Sequence, residues 1–487
     1  MINFENSFHE LQNEFYANVL PSIPPKPELL TYNKSLSQKL GINSSWVESE
    51  EALQCFSGSK IIKNSNPLAM VYAGHQFGNW VPRLGDGRAV LLGELIDANN
   101  QRWDIQLKGS GKTPFSRSGD GKAVLGPVLR EYLISEAMNA LKIPTTLALT
   151  VVKTGERIQR DTLLPGAILT RVAKSHIRVG TFQYFASRGK YNFLKKLSDY
   201  VINRHFPEIK NKNNKYSEFL KLVVKAQAKL ISKWMSVSFI HGVMNTDNCS
   251  IIGDTIDYGP CAFMDTYNPE TVFSSIDIYG RYSYKNQPKI CQWNLIQLAN
   301  CLLPLLSKNK EESINIAQTV IDGFPKLFER FWLLEMRKKL AFKSSKLNDA
   351  KLITELHNIM ENDKLDFTLT FASLYHVFNN KNNVVLDYVN KSNKFKKWTS
   401  KWKNRLAIEK SSKSDIEQLL CNSNPSIIPR NHLVEEAIKS AVYNNSYSKF
   451  FKLMELLSKP FCLKEKNRHY LFPPKDIDKN FQTFCGT

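Results

Sequence analysis

The sequence predicts an α+β fold: a small β-rich N-terminal part with one prominent helix, then a larger, mainly helical part with a helical C-terminal extension. Three observations predict it. Ten of the 22 glycines fall between Gly74 and Gly126, which is the density of tight turns between strands. Two runs in that region, Ala89–Ile96 (AVLLGELI) and 103–107 (WDIQL), have strand composition. Beyond about Tyr184 the apolar residues recur mainly at helical spacing.

The elements follow in order. Residues 1–65 are expected as an N-terminal extension, 66–165 as the β-rich unit, 166–340 as the helical unit with the active-site loop, and 341–487 as a C-terminal helical region. Residues 97–101 (DANNQ) make the turn of a hairpin. Gly85, Asp86, Gly87 and Arg88 stand immediately before that hairpin. Gly126-Pro127 reads as a helix start with proline at the first helical position. Leu129, Leu133, Ala137 and Ala140 form its core stripe, and Val128, Glu131, Ser135 and Met138 a neighbouring seam. Pro144 ends it. Strands are expected at 146–153 and 167–173. Residues 190–215, rich in Lys and Asn, read as a surface bulge. Phe219, Val223, Ala226, Leu230, Trp234 and Val237 mark a buried helix that stops at His241-Gly242.

Composition excludes several classes. At 487 residues, with 42% hydrophobic and 23% charged residues, the chain buries a core without staples. No run approaches the length of a membrane helix, so no membrane association is expected. The N-terminus lacks the basic and apolar regions of a leader. The eight cysteines form neither CxxC nor a zinc pattern, which suits a reducing cytoplasm. Lys and Arg number 66 against 45 Asp and Glu, a net charge of +21. Such an excess attracts phosphate-bearing partners. No aromatic-basic motif points to nucleic acid.

One constellation carries chemistry. A Gly-rich turn, a strand Lys, a helical Glu, a polar loop and an Asp-Tyr-Gly occur in the order of a protein-kinase-like nucleotide site. Lys108 ends its strand, and Glu131 follows 23 residues later, where it would pair with the ammonium. In the loop 241–248 (HGVMNTDN), Asn248 falls in kinase register, but Val243 replaces the kinase base. Nine residues beyond Asn248, Asp257-Tyr258-Gly259 stands where kinases carry a metal-binding Asp. Asn248 and Asp257 offer hard oxygen ligands for a divalent ion such as Mg²⁺. Asp247 is the carboxylate left to deprotonate an acceptor hydroxyl. Arg88, Arg171 and Arg178 are further candidate phosphate ligands, although two Arg seven apart are by spacing alone ordinary surface residues. Asp120-Gly121 lies in a flexible-looking segment that could close over a ligand. The stretch 109–113 (GSGKT) imitates a P-loop, but Gln106 stands where its first Gly belongs.

The stretches YAGHQFGNWVPRLGDGRAVLLGEL, WDIQLKGSGKTPFSRSGDGKAVLGPVLREYLISEAM, GAILTRVAKSHIRVGTFQYFA and HGVMNTDNCSIIGDTIDYGPCAF closely resemble the SelO (YdiU) family of protein adenylyltransferase pseudokinases. The resemblance is dense over about residues 1–290 and thinner to the end. It implies a kinase-like bilobal fold, with a small N-lobe, a larger helical C-lobe and a helical extension. It implies ATP bound in a flipped orientation, with AMP passed to Ser, Thr or Tyr hydroxyls of proteins (AMPylation) and pyrophosphate released. The family's ATP contacts fall on Gly85, Gly87, Arg88, Lys108, Asp120, Gly121, Arg171, Arg178 and Asp257. Its metal ligands, for Mg²⁺ or Mn²⁺, fall on Asn248 and Asp257, its proton acceptor on Asp247, and the Lys-orienting Glu on Glu131. A monomer acting on ATP and proteins is expected. The missing kinase base leaves two alternatives open: a non-catalytic ATP-binding scaffold, or a phosphotransferase using Asp247. One departure stands out. Many members pair a Cys after Asp-Tyr-Gly with a C-terminal Cys or selenocysteine. Residues 270–275 around Phe273 contain no Cys, while Cys485 is present. Cys249 and Cys261, flanking the metal loop, are the substitute partners to consider.

Overall fold

The computed structural model describes residues 2–461, 465–474 and 481–483. An antiparallel sheet occupies the N-terminal third. Its strands are β1 (Tyr16–Asn18), β2 (Glu28–Tyr32), β3 (Leu68–Met70), β6 (Ala89–Ile96), β7 (Arg102–Lys108), β8 (Ala123–Val124), β9 (Leu147–Gln159) and β10 (Leu163–Ala173). They run in the order β1-β3-β6-β7-β10-β9-β2, with β8 also on β10. A small separate hairpin joins β4 (Gly74–Gln76) to β5 (Asn79–Val81).

Strand periodicity sorts the two faces of this sheet. Trp103, Ile105 and Leu107 of β7 and Ile168 and Val172 of β10 point to one side. There they pack with α1 (Lys34–Lys39), α2 (Ser44–Val47) and α3 (Glu50–Phe56) of the N-terminal extension. The intervening residues Gln106, Lys108, Leu169 and Arg171 face the other side. The register sets Gln106 opposite Arg171 and Lys108 opposite Leu169. This side is covered by α4 (Leu125–Ala140), whose Leu129, Leu133, Ala137 and Met138 are buried.

After β10 the chain is mainly helical. The helices are α5 (Val179–Ala186), α6 (Tyr191–His205), α7 (Lys215–Ser236), α8 (Gln287–Leu306), α9 (Lys310–Asp322), α10 (Phe324–Lys339), α11 (Asp349–Asn362), α12 (Phe367–Asn379), α13 (Val384–Val389), α14 (Asn393–Ala407), α15 (Lys413–Ser423), α16 (Asn431–Asn444) and α17 (Ser448–Leu457). A two-stranded ribbon, β11 (Phe239–Ile240) with β12 (Ala262–Phe263), brackets the polar loop between them. Among the described residues no helix is long and apolar enough to cross a membrane.

Three expectations are corrected. Helix α4 begins at Leu125, so Pro127 lies in its first turn but not at its first position. The strands expected at 146–153 and 167–173 are longer, because β9 and β10 extend past the sheet as a hairpin turning at 160–162. Residues 190–215 are not a surface bulge. Most form α6, which buries Leu194, Leu197, Val201 and Ile202 while its Lys side chains face water. Only 210–214 remain an Asn/Lys turn.

The C-terminal helices are locked in place by one buried cation. Arg430, fully buried at the start of α16, binds Asp366 at 2.6 Å, Asp265 beyond β12 and the Leu471 carbonyl at 2.7 Å. Removing one partner from a buried ionic group costs about 3–5 kcal/mol. Arg430→Met should therefore lower stability by about that amount, read as an earlier urea unfolding midpoint.

Candidate active site

The sheet face, α4 and the polar loop enclose a cavity of about 600 Å³. Lys108, at the end of β7, reaches Glu131 on α4 at 2.5 Å and Asp257 at 2.9 Å. Arg171, 2% exposed, binds Asp257 at 2.6 Å and Glu131 at 3.3 Å. Its other guanidinium nitrogens donate to the Gln106 amide oxygen at 2.6 and 3.1 Å. Arg178, 3% exposed, donates to Asp257 at 3.0 Å and to the Asp247 carbonyl at 2.9 Å. Its guanidinium also lies over the Tyr72 ring, 4.6 Å from the centroid.

Three cations thus converge on one carboxylate. Burial alone would raise the Asp257 carboxyl, but Lys108, Arg171 and Arg178 hold it well below the usual range. Its backbone is left-handed, at φ 64°, an uncommon conformation for a residue other than Gly. The Arg pair was unremarkable by spacing; burial, of Arg171 on β10 and of Arg178 at the start of α5, makes it part of the site. Arg178 is positioned from behind. Asp104 accepts from both the His176 backbone N–H and ring Nδ1 at 3.0 Å, which fixes the bend from which Arg178 projects.

The polar loop presents Asp247 and Asn248 from a single tight turn, Thr246–Asn248. Burial pushes the Asp247 carboxyl up to about 6. One of its oxygens, Oδ1, is buried and has no hydrogen-bond partner among the described residues. Such an oxygen is costly unless something fills its place. The Asn248 amide nitrogen donates to the Val243 carbonyl at 3.0 Å, which leaves its oxygen as an acceptor. Val243 lines the cavity without any acid–base function.

The glycine turn forms the rim. Gly85 and Gly87 pack so closely on Phe115 that a Cβ at either would lie 2.4 Å from its ring or 2.9 Å from its carbonyl. Arg88, Asp120 and Gly121 also line the cavity. Asp120 is ion-paired to Arg160 at 2.9 Å and accepts from the Lys122 N–H, so its loop is tied down at the rim. Residues 109–113 run along that loop without entering a helix, so no P-loop forms.

Other contributors escaped the sequence reading. Asp86, 2% exposed, accepts from Gln106 at 3.0 Å and lies 3.6 Å from Arg178. It sits inside the very glycine turn that attracts attention, and Gln106 shares the face of Lys108 by alternation. The β4–β5 hairpin closes the loop from outside: His75 N–H donates to the Thr246 hydroxyl at 2.7 Å and Phe77 N–H to the Asn245 side chain at 3.0 Å. Those pairs are about 170 residues apart and leave no local signal.

Asn248 and Asp257 both line the cavity and supply hard oxygen donors, which suits a divalent ion. Among the described residues no cluster of three or more His, Cys, Asp or Glu could hold a metal by itself. The cysteine substitutes do not suit a redox lock. Cys249 and Cys261 are buried, and burial pushes the Cys249 thiol up to about 12. Cys485 lies outside the described residues. Thr483, nearby in sequence, donates its N–H to the Phe273 carbonyl at 2.8 Å.

Residues 1–458 match the family model described as "Protein adenylyltransferase SelO". The chain belongs to the SelO family. It is 50% identical over 490 residues to "Protein nucleotidyltransferase YdiU" of Bacillus cereus (strain G9842), covering 100% of this chain and 98% of that relative. The proteins of the same name from Bacillus thuringiensis (strain Al Hakam) and Bacillus anthracis are each 50% identical over 485 residues, with the same coverage. As a SelO member the chain is an enzyme, a nucleotidyltransferase.

Gly74 offers a probe of this geometry. A Cβ there would lie 2.6 Å from Asp247 Oδ1, so Gly74→Ala must displace the carboxylate. Nucleotidyl transfer should fall at least about tenfold, since small misplacements of reacting groups are costly. Stabilisation by ATP, measured as a thermal shift, should persist.

Proposed function

We propose that the chain is a protein adenylyltransferase that moves AMP from ATP to Ser, Thr or Tyr hydroxyls of proteins. The observation that carries this reading is the depth of the cations. Arg171 and Arg178 are 2% and 3% exposed, at the back of the cavity with Lys108. A buried basic floor suits the terminal phosphates and not an adenine base. The triphosphate therefore enters γ-phosphate first, and the α-phosphorus stays nearer the loop bearing Asp247. In this reading the sheet with α4 is the small lobe of a kinase-like fold, and the helices after β10 form the large one.

Chemistry follows from what each side chain holds. Asp247 Oδ1 takes the proton of the acceptor hydroxyl, whose oxygen then attacks the α-phosphorus. The bond from that phosphorus to the bridging oxygen breaks, and pyrophosphate departs. Lys108, Arg171 and Arg178 stabilise the charge that gathers on it, exchanging contacts with Asp257 for phosphate oxygens. Glu131 keeps the Lys108 ammonium pointed at the cavity throughout. Mg²⁺ or Mn²⁺, held by Asn248 and Asp257, would supply further neutralisation of phosphate charge. Arg88, with Gly85 and Gly87, and the Asp120-Gly121 loop border the outer end, where the nucleoside would lie.

The test is isotopic. With a protein acceptor and Mg²⁺ or Mn²⁺, label from α-³²P-ATP should appear on protein, and label from γ-³²P-ATP should not. Label from the γ position alone would replace this reading with phosphotransfer by Asp247. ATP-dependent stabilisation with no transfer under either metal would favour a scaffold. Asp257→Ala should abolish transfer. Asp247→Asn should lower it by roughly 10²–10⁴-fold while leaving ATP binding in place.

A further inference from the structure

A second cavity lies behind α4. It has a volume of about 360 Å³ and shares no lining residue with the nucleotide cavity. Its walls come from three parts of the chain that are distant in sequence. Tyr132, Glu136 and Ala140 project from α4, Thr31 to Ser35 form the junction of β2 and α1, and Phe451, Met454 and Leu457 project from α17.

Glu136 is the unusual member. Its carboxylate accepts a long hydrogen bond of 3.4 Å from the Ala148 N–H and another from the Asn33 side chain. No basic side chain of the described residues acts on it. Burial pushes this carboxyl up to about 7. Several buried acids of the chain have cationic partners instead. Glu131 is paired with Lys108, Asp349 with Arg337 and Arg405, and Asp366 with Arg430. A carboxylate without a cation of its own, beside the apolar Ala140, Phe451, Met454 and Leu457, gains from an incoming cation. Tyr132 and Phe451 bring aromatic rings to the same wall, a residue type that attracts cations.

We propose that this cavity binds a small organic ammonium ion, an amine with a compact apolar body, with Glu136 as its counter-ion. The volume is at the lower end of small-molecule sites. Lys34, an exposed residue, also lines the cavity. The position gives an occupant leverage. Glu136 and Glu131 lie five residues apart on α4, less than two helical turns. The C-terminal helices grip the same element, through an ion pair from Arg130 to Glu435 of α16 and close packing of Gly126 on Ile438. A ligand wedged between α4 and α17 therefore bears on the helix that orients Lys108.

The experiment titrates the full chain with phenethylammonium and with the neutral phenethyl alcohol, by calorimetry. The ammonium should bind saturably at one site and at least tenfold more tightly than the alcohol. Glu136→Gln should weaken the ammonium at least tenfold while keeping the thermal shift given by ATP. Absent saturable binding, equal binding of the alcohol, or unchanged affinity in Glu136→Gln would each overturn the proposal. Should Glu136→Gln fail to fold, Ala140→Phe, which fills the recess, decides: lost binding supports the site and retained binding removes it.

Discussion

The site depends on a balance of buried charge. Lys108, Arg171 and Arg178 face Asp86, Glu131 and Asp257, three against three, drawn from β7, β10, the bend before α5, the glycine turn, α4 and the loop after β11. An unpaired ion in such a place costs several kcal/mol, so none of the six can be present alone. That requirement fixes the register of β7 on β10, the docking of α4 and the bend before α5. It also explains why Asp257 tolerates a left-handed backbone: three ion pairs outweigh a strain of roughly 1–3 kcal/mol. A balanced cluster has no charge to spare, so any anion entering the cavity must draw one of these cations away from its carboxylate.

Much of this arrangement was legible in the sequence. Lys108 and Glu131 could be paired because a strand end and the following helix are neighbours by chain order. Asn248 and Asp257 were recognisable by their spacing and by hard oxygen chemistry. Arg171 and Arg178 were not, because burial is a property of the packed sheet and leaves no mark on two Arg seven residues apart. Asp86 was passed over because the glycines around it drew attention to backbone geometry.

The misreading of 190–215 has a different cause. Lys content suggested a solvated loop, yet Leu194, Leu197, Val201 and Ile202 repeat at helical intervals and are all buried. Net charge concealed an amphipathic helix whose polar face carries the charge. The same correction applies to the +21 as a whole. Little of it enters the site, and Lys side chains on faces such as that of α6 carry part of the rest.

The hairpin that closes the Thr246–Asn248 turn has a consequence in time. His75 must find Thr246, a partner 171 residues further along the chain. At synthesis rates of about 5–20 residues per second, that partner emerges roughly 10–30 s later. The hairpin waits, and so do the basic residues of the sheet, whose acidic counterpart Asp257 follows Thr246 off the ribosome. Until then Lys108, Arg171 and Arg178 have only two of their three carboxylates. The nascent chain is therefore most exposed to polyanions during that interval, and closure of the loop ends it.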